Sequence, residues 1–445
     1  MTGSDSSVSD NTGSDNTGMD AARMVNGFDT ARTGALDPEL GHLVRRRDAA
    51  LGGAYRLFYA TPVQFARGEG VYLYDPAGHA YLDAYNNVPS VGHSHPRVTE
   101  AVSRQLQTLN THTRYLTAGL VDYAERLLAT HQLGPAHAMF TCTGSEANDL
   151  ALRIARHYTG GTGVIVTANA YHGVTSAVAG VSPSLGVPLG RHVRAVPAPP
   201  DAAAVAAAIA DLERHGVRLA AFLADSLLSS DGVLPDPAGF LKPVQDVVRA
   251  AGGLYIADEV QSGFGRTGGH LWGYQRHGLD PDIAVMGKPM GNGLPIAGIV
   301  VRREVLADFG AAVRYFNTFG GNPVCVAAAA AVLDVLDAEQ LPANAAAVGG
   351  YLTAELGRVA AASPLLGEVR GAGLYLGADV VDPATGAPSG ARAAAVVNGM
   401  RDRRVLISAT GPLGHTLKIR PPLPFSRANA DQLLEALTDT LAGQP

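Results

Sequence analysis

An acidic residue and a lysine each follow an apolar stretch of the sequence. In LYIADEVQSGFGRTG, Asp258 and Glu259 come directly after an apolar run, and in DIAVMGKPMGNG, Lys288 follows another. The carboxyl ends of strands in an open α/β sheet form the edge where ligands bind, so both side chains can face one cleft. A lysine held there between Gly287 and Pro289 can be desolvated and lose its proton, as a Schiff-base nucleophile must. The alternatives are a solvated lysine and an acid that only caps a turn.

Two further segments offer groups that bind a ligand. After MFTC, the residues Thr143, Gly144 and Ser145 would end a strand and begin a helix through SEANDLALRIAR. Free N–H groups at a helix start bind phosphate, although a serine there can equally be an ordinary N-cap. In ANAYHGVTS, Tyr171 and His172 follow the apolar run GVIVT. The ring of Tyr171 can therefore cover a planar ligand, or simply pack within its loop.

Strands and helices in alternation must position these residues. Helical periodicity in PRVTEAVSRQL and GLVDYAERLLA is followed by the short apolar runs MFTC, GVIVT, LAAFLA, GLYIA, DIAVM and AGIVV. This alternation predicts an α/β fold with a mostly parallel sheet. Before it, VYLYDPAGHAYLDAYNN at 71–87 predicts a β-hairpin. Near residue 332 the sequence predicts the start of a long Ala-rich helix, followed by a smaller unit of strands and helices.

Composition argues against several classes of function. The 445 residues are 47% hydrophobic and 17% charged, with a net charge of -6, so nucleic acids and anionic membranes are not expected partners. The sequence shows neither a signal peptide nor an apolar run long enough to span a membrane. Only two cysteines occur, Cys142 and Cys325, which fits a reducing compartment. We therefore expect a cytoplasmic protein that binds a small molecule and holds no metal.

Five motifs together resemble one protein family. TGSEAND, AYHG, DEVQSGFGRTG, MGKPMGNG and FNTFGGNP occur here in the order and spacing of the class III (ω-amino-acid type) aminotransferases of pyridoxal 5′-phosphate (PLP) fold type I. The resemblance covers roughly residues 60 to 440. It implies PLP as the cofactor, a large domain with a mostly parallel seven-stranded sheet, a small α+β domain, and a homodimer.

On this basis the chain divides into four segments. Residues 1–30 are rich in Ser, Asp, Gly and Thr and cannot bury enough apolar surface to fold, so we expect a disordered tail. Residues 31–94 should form an N-terminal segment that joins the small domain. Residues 95–335 should form the large PLP-binding domain, and residues 336–445 the C-terminal small domain.

The resemblance also implies which residues hold the cofactor. Gly144 and Ser145 would bind the PLP phosphate, and Thr318 of the neighbouring subunit would complete that site, so catalysis would require a homodimer. Tyr171 would stack on the pyridine ring, with His172 beside it.

Three residues carry the implied chemistry. Gln261 would contact the ring hydroxyl, and Asp258 would pair with the ring nitrogen. A carboxylate in that place keeps the ring cationic, so that it can accept electrons from a broken bond. Lys288 would hold PLP as a Schiff base and afterwards, as a free amine, transfer the substrate proton as general base and acid.

Within the family, NNVPSVGHSHP, LNTHTRYL and GPLGHTLKIRPPL resemble the alanine–glyoxylate aminotransferase 2-like branch, which also includes phospho-lyases of phosphorylated amines. Two positions depart from the wider family. Asp225 stands where a glutamate is usual, and Lys418, followed by Arg420, stands at the arginine that binds an α-carboxylate. A lysine attracts anions as a point charge, so a carboxylate or a phosphate would satisfy it. Asn86 and Asn87 are expected as substrate contacts, or as a turn pair.

The leading hypothesis is an aminotransferase with a ping-pong mechanism, in which an amine donor and a carbonyl acceptor react in turn. The alternative is a PLP-dependent phospho-lyase that eliminates phosphate and ammonia from a phosphorylated amine. Leu294, at a position where phospho-lyase-like sequences tend to have histidine, favours transamination. A third hypothesis, a binding or regulatory protein on a degenerate PLP fold, conflicts with the presence of both Lys288 and Asp258.

Overall fold

The structure, a computed structural model, describes Met24 and residues 26–444. Most of the tail expected at residues 1–30 lies outside the described residues. Its last part is described, and there Asn26 is only 3% exposed and its carbonyl accepts the Tyr59 amide at 2.7 Å. The chain therefore packs onto the fold before residue 30.

The described residues form α-helices of four to twenty-two residues and three short 3-10 helices, at Thr30–Ala35, Pro183–Leu185 and Lys288–Gly291. Among residues 24 and 26–444, no helix combines the length and apolar character needed to cross a membrane. In chain order the α-helices are α1 (Pro38–Leu51), α2 (Pro96–Thr108), α3 (Ala118–Ala129), α4 (Gly144–Thr159), α5 (Ser176–Ala179), α6 (Ala202–Arg214), α7 (Lys242–Ala250), α8 (Gly273–Arg276), α9 (Arg303–Ala312), α10 (Pro323–Ala338), α11 (Leu341–Ala362), α12 (Gly390–Asp402) and α13 (Arg427–Ala442).

The described strands form three sheets, of seven, four and four strands. In chain order the strands are β1 (Arg67–Glu69), β2 (Tyr72–Tyr74), β3 (Ala80–Asp83), β4 (Ala136–Thr141), β5 (Gly163–Thr167), β6 (Val193–Val196), β7 (Leu219–Asp225), β8 (Leu254–Asp258), β9 (Ile283–Met286), β10 (Ala297–Arg302), β11 (Leu366–Ala372), β12 (Tyr375–Val380), β13 (Val405–Leu406), β14 (Ser408–Thr410) and β15 (Thr416–Ile419).

The seven-stranded sheet has the order β4-β10-β9-β8-β7-β5-β6. All its neighbouring strands are parallel except β10, which runs antiparallel to both β4 and β9. Strands β5, β8 and β9 are buried along their whole length, as expected when helices cover both faces of a sheet. The predicted mostly parallel α/β sheet is therefore confirmed, and the six predicted runs correspond to β4, β5, β7, β8, β9 and β10. Strand β6 was not predicted, because its sequence VRAV contains an arginine and only its two end residues are buried, so that it is not an apolar run.

One edge of this sheet brings the predicted chemistry together. Strands β7 and β8 pair in parallel with Asp225 opposite Asp258, so both acids end their strands side by side. Strand β9, the next neighbour, leads into Lys288. Helix α4 starts at the same edge with a capping box, in which Thr143 Oγ1 accepts the Glu146 amide at 3.1 Å and the Glu146 carboxylate accepts the Thr143 amide at 3.2 Å.

The two four-stranded sheets connect distant parts of the chain. The first has the order β1-β2-β3-β13, and its antiparallel β2–β3 pair confirms the predicted hairpin. Strand β13 comes from the C-terminal part of the chain and pairs in parallel with β3, with Val405 opposite Leu82. The second sheet has the order β11-β12-β15-β14 and is antiparallel throughout.

The prediction of one long helix from residue 332 is wrong, because the segment begins earlier and consists of two helices. Helix α10 already begins at Pro323, capped by the Asn322 side chain, which accepts the Cys325 amide at 3.0 Å. It ends before Gln340, whose φ of 50° breaks the helical path and separates α10 from α11. Alanines continue on both sides of this break, but Pro342 in the first turn of α11 marks it in the sequence. The domain boundary expected near residue 335 falls in the last turn of α10.

Helix α11 packs closely against the turn that leads into β12. A Cβ added at Gly349 would lie 2.0 Å from the Gly373 carbonyl oxygen, and Gly373 itself has a φ of 56° and lies against the Arg266 carbonyl. The helix, the turn and the loop that follows β8 are thus in direct contact. This packing fixes where β12 begins.

Replacing Gly349 with alanine should lower the free energy of unfolding by about 1–3 kcal/mol, because the added methyl group must displace backbone atoms. Gly350 is the matched control, since a Cβ there meets nothing within 4 Å. Gly350→Ala should raise stability by about 0.5–1 kcal/mol through helix propensity. Urea unfolding of both variants measures the difference, and effects of the same sign would contradict this packing.

Candidate functional site

A cavity of about 170 Å³ lies at the carboxyl edge of the large sheet. Apart from Gly173 and Val260, all the residues of its wall are ones that the sequence predicts to act on a ligand. The wall consists of Gly144, Ser145, Tyr171, His172, Gly173, Asp225, Asp258, Val260, Gln261 and Lys288.

The N-terminus of α4 forms one end of the cavity. In the described part of the chain, the Gly144 and Ser145 amides have no protein acceptor. The Ser145 hydroxyl oxygen accepts the Val174 amide at 3.1 Å, so its own proton remains available for a further acceptor. Gly173 has a φ of 137°, and a Cβ there would lie 2.4 Å from Ser145 Oγ, so only glycine leaves this space open. Free amides at a helix N-terminus form an anion site.

A buried carboxylate forms the other end. Asp258 Oδ2 accepts hydrogen bonds from His172 Nδ1 at 2.7 Å and from Asn148 Nδ2 at 3.0 Å, and Oδ1 accepts the Val260 amide at 3.1 Å. Asn148 Nδ2 also donates to the His172 carbonyl at 2.9 Å, which fixes both residues together. An ionised carboxylate has about four acceptor positions, so Asp258 keeps one for a donor in the cavity.

The side chain of Lys288 lines the same cavity. Its φ is 26°, an uncommon value for a residue with a side chain, and such a conformation costs on the order of 1–3 kcal/mol. Burial lowers the pKa of Lys288 to about 8, and the positive charge of Arg420 adds to this lowering, whereas Asp258 and Asp225 oppose it. At pH 7 roughly a tenth of the amine is therefore unprotonated, far more than for an exposed lysine.

Gln261 connects the cavity to Arg420. The Gln261 side-chain oxygen accepts the Tyr375 hydroxyl at 3.1 Å and the Arg420 guanidinium. Arg420 Nε also donates to the Tyr85 carbonyl at 3.0 Å, and the guanidinium lies 4.7 Å from the Tyr85 ring centroid and 5.8 Å from that of Tyr375. Arg420 is 6% exposed, so these contacts replace most of its hydration.

Lys418 is a second buried cation near the cavity. It is 8% exposed, and its ammonium group lies 5.8 Å from the Tyr375 ring centroid. Burial, followed by the charges of Arg420 and Lys288, lowers the pKa of Lys418 well below its usual value. Among the described residues, no carboxylate oxygen lies within 4.0 Å of the Lys418 or Arg420 cation. Buried cations without a counter-ion favour the binding of an anion.

Asp225, the acid beside Asp258, has both oxygens occupied. Oδ1 accepts the Leu227 amide and Oδ2 the Ser229 amide, each at 2.9 Å. Burial raises the pKa of Asp225, and the charge of Asp258 adds to the increase. The side chain lines the cavity but is held to its own loop.

Glu259 lies outside the cavity wall, because successive side chains point to opposite faces of a strand. It is fully buried and accepts hydrogen bonds from the Ser226 hydroxyl, the Ser262 hydroxyl at 3.0 Å, and the Gly273 and Tyr274 amides. Burial raises the pKa of Glu259 to about 7. This acid therefore connects the chain segments that follow β7 and β8.

The two predicted asparagines lie beside this region and not in the cavity wall. Asn86 Oδ1 accepts the Val88 amide at 3.0 Å, which matches the turn alternative. Asn87 is 1% exposed, and neither its side-chain nitrogen nor its oxygen has a hydrogen-bond partner within the described chain. Both follow Tyr85, whose carbonyl binds Arg420.

Thr318 is exposed and does not line the cavity of its own chain. Its neighbours Phe316 and Phe319 are 38% and 68% exposed, and Leu116 is 99% exposed. The Arg114 guanidinium lies over the Phe316 ring at 3.8 Å, which joins the two segments into one surface. Thr318 thus belongs to an exposed surface rich in apolar side chains.

Three further residues of this site escaped sequence reasoning. Asn148 stands one helical turn after Ser145, and a buried asparagine in the middle of a helix was a usable signal, because asparagine is a poor helix former. Gly173 follows His172 directly, but the need for glycine appears only when Ser145 is placed beside it. Tyr375 comes from another sheet and carries no local signal.

These residues fit PLP. The free amides and the Ser145 hydroxyl suit its phosphate, the remaining acceptor position of Asp258 suits a protonated ring nitrogen, and Lys288 lines the same cavity. The space that a Cβ at Gly173 would fill remains open on the phosphate side.

The reactivity of Lys288 should reflect its lowered pKa. In protein freed of PLP, the rate of Lys288 modification by an amine-reactive reagent should rise with a midpoint near pH 8, because only the unprotonated amine reacts. The chain has only three lysines, so mass spectrometry can follow each one, and the surface residue Lys242 gives the pH dependence of the reagent itself. Identical profiles for Lys288 and Lys242 would contradict the desolvated amine.

Comparison with known proteins agrees with this geometry. The profile of the family described as "Aminotransferase class-III" matches residues 58–441. A Drosophila melanogaster protein named "Alanine--glyoxylate aminotransferase 2-like" is 40% identical over 426 residues, which are 89% of this chain and 86% of that protein.

Two solved structures extend the comparison. A phospholyase from Arthrobacter, in complex with phosphoethanolamine, is 46% identical, with a TM-score of 0.88 over 91% of this chain and 100% of the other. The ornithine aminotransferase of Toxoplasma gondii, a structure with partial occupancy of PLP at its active site, is 26% identical, with a TM-score of 0.79 over 92% and 96%. The fold is therefore PLP fold type I, and the chain belongs to the class III family of PLP-dependent aminotransferases.

Proposed function

We propose that this protein is an aminotransferase that moves an amino group from a small amine or amino acid donor to an aldehyde or keto acid acceptor by a ping-pong mechanism. The observation that carries the proposal is the Lys288 amine, whose pKa is lowered to about 8, placed in one cavity with a helix N-terminus and a buried carboxylate. Such an amine can form a Schiff base and can also transfer a proton.

Each residue of the cavity has a role in this proposal. Bound PLP supplies the electron sink that amino-group transfer requires. Asp258 would pair with its ring nitrogen, held in place by His172 and Asn148. Gly144 and Ser145 would bind the phosphate, again through the hydroxyl and amides that the protein leaves available.

The remaining roles concern the ring and the proton. Tyr171 would cover the ring, and Gln261 would contact the ring hydroxyl. Lys288, as a free amine, would move the substrate proton from the carbon that loses it to the atom that receives it, acting first as general base and then as general acid. Its low pKa keeps the amine able to accept that proton near neutral pH.

The substrate side of the proposal depends on charge. Lys418 and Arg420 would attract an anionic group of the substrate, because both are buried without a carboxylate partner within the described chain. Asp225 would border the reacting amine, and Asn86 and Asn87 would contact the rest of the substrate. The unpartnered amide of Asn87 is the main support for the last assignment.

A phospho-lyase is the second candidate. Two adjacent buried cations suit a phosphate as well as a carboxylate, and the Arthrobacter protein that is 46% identical is a phospholyase bound to phosphoethanolamine. Leu294, which the sequence offered against this activity, does not line the cavity. The two candidates share Lys288, Asp258 and the phosphate site and differ in the fate of the substrate once its proton has been removed.

We also propose a homodimer in the cytoplasm. Thr318 would complete the phosphate site of the partner subunit, and the exposed Phe316, Phe319 and Leu116 give its surroundings the apolar character that a dimer interface buries. The presence of only two cysteines supports a reducing compartment.

Product analysis separates the two candidate reactions. With an amine donor and no acceptor, the holoenzyme should lose the visible absorbance of PLP bound to Lys288 and release the oxidised donor in stoichiometric amount. Phosphoethanolamine should then give no inorganic phosphate beyond the blank. Catalytic release of phosphate and ammonia would instead establish the phospho-lyase. Lys288→Ala should abolish the absorbance and either reaction, with Lys242→Ala as the matched control.

Mixing two impaired variants tests the shared site. Lys288→Ala should be inactive, and Thr318→Val should bind PLP about tenfold more weakly through loss of one hydrogen bond to a charged group. In a mixed dimer, one site receives Lys288 and Thr318 from different subunits and is intact. Reassembled equal mixtures at limiting PLP should recover about a quarter of wild-type activity, because half of the dimers are mixed and each has one working site. No recovery would place Thr318 outside the partner's site.

A further inference from the structure

The orientation of the Gln261 amide follows from its partners. A guanidinium can only donate hydrogen bonds, so the Gln261 atom that contacts Arg420 must be the oxygen. The Tyr375 hydroxyl donates to the same oxygen at 3.1 Å. Neither Arg420 nor Tyr375 is part of the cavity wall, whereas Gln261 is. The Gln261 amide nitrogen has no protein acceptor in the described chain. It is therefore the donor that Gln261 can offer to a ligand in the cavity.

The two donors and their acceptor come from different sheets. Gln261 lies in the loop that follows β8 of the large sheet. Tyr375 is the first residue of β12, and Arg420 directly follows β15, its neighbour in the antiparallel C-terminal sheet, where Leu376 lies opposite Ile419. A movement of the C-terminal sheet relative to the large sheet would thus change the hydrogen bonds of Gln261.

Arg266 holds the chain segments that carry the two donors, Tyr375 and Arg420, next to the loop of Gln261. It lies five residues after Gln261 in the same loop and is 1% exposed. Its Nη1 donates to the carbonyl of Leu374, which precedes Tyr375, at 3.1 Å, and to the carbonyl of Pro421, which follows Arg420. Burial, with the nearby charge of Arg420, lowers the pKa of Arg266 to about 9. One guanidinium therefore fixes the backbone on both sides of the Gln261 contact.

We propose that Arg420 and Tyr375 are positioning residues that act through Gln261: they turn its amide nitrogen towards the ring oxygen of the coenzyme, so that an anion bound at Arg420 is sensed at the linkage between PLP and Lys288. This inference rests on the proposed function, in which Gln261 contacts the ring hydroxyl. It adds a route by which the substrate's anionic group would change the protonation of the linkage between PLP and Lys288.

The sign of the effect follows from electrostatics. The charge of Arg420 and a donor to the ring oxygen both disfavour a proton on the nitrogen that joins PLP to Lys288. An anion at Arg420 offsets that charge and favours the protonated linkage, which is the form open to attack by the substrate amine. The other titratable groups around Lys288 come from four neighbouring segments and stay constant in the comparison: Asp225, Asp258, Tyr171, His172 and Lys418.

A pH titration of the holoenzyme absorbance tests this. The midpoint for Arg420→Gln should lie about one pH unit above wild type, because a charge in a poorly hydrated site is removed. Tyr375→Phe keeps the ring and removes one donor, so its midpoint should rise by a smaller amount, on the order of a few tenths of a unit. Arg427→Gln, which removes an exposed arginine over the Tyr351 ring, is the matched control and should titrate as wild type.

The second measurement repeats the pH titration of the holoenzyme absorbance with sulfate added. Chloride at the same ionic strength is the reference. Sulfate should raise the wild-type midpoint and leave that of Arg420→Gln unchanged. The inference would be overturned if wild type, Arg420→Gln and Tyr375→Phe all titrated at one midpoint. It would also be overturned if sulfate shifted the midpoints of wild type and Arg420→Gln equally, even if transamination is observed. A wild-type protein that lacks the visible absorbance of PLP bound to Lys288 would instead contradict the proposed function itself.

Discussion

Desolvation of the Lys288 amine is the constraint on which the rest of the site depends. A lysine in water is almost entirely protonated and forms a Schiff base poorly, so the role proposed for Lys288 requires that the protein bury it and still supply nearby negative charge. The parallel order of β7, β8 and β9 does this, because it ends two adjacent strands with Asp225 and Asp258 and the third with Lys288. The strand order therefore sets the reactivity of one amine.

The buried acids need their own support, because an unpaired carboxylate would oppose folding. Asp258 receives hydrogen bonds from three residues, and the next residue, Glu259, receives four on the opposite face of the strand. Because side chains alternate along a strand, the two neighbouring acids lie on opposite faces and make different contacts. Asp258 faces the cavity, whereas Glu259 holds Ser226 and the start of α8, and with them the position of Asp225.

The sequence was sufficient for the elements in which local pattern and tertiary role coincide. Strands buried on both faces are recognisable as apolar runs, and the residues at their ends could be assigned to one edge without knowing the strand order. The break between α10 and α11 was missed, although Pro342, in the first turn of α11, was a usable signal, because proline is tolerated at a helix start and not in a helix interior. Tyr375 and Arg266 were missed because their roles depend on the C-terminal sheet meeting the loop after β8, a contact between residues far apart in sequence.

The two departures from the family pattern have one structural consequence. The Asp225 oxygens are held by the Leu227 and Ser229 amides, and Asp225 forms no ion pair with Lys418 or Arg420 in the described chain. The cations next to the cavity therefore lack an internal counter-ion. The lowered pKa of Lys418 and the aromatic faces around Arg420 relieve part of the cost. A bound anion would remove the rest of this cost, and we therefore propose that this side of the site selects its substrate by charge more than by shape.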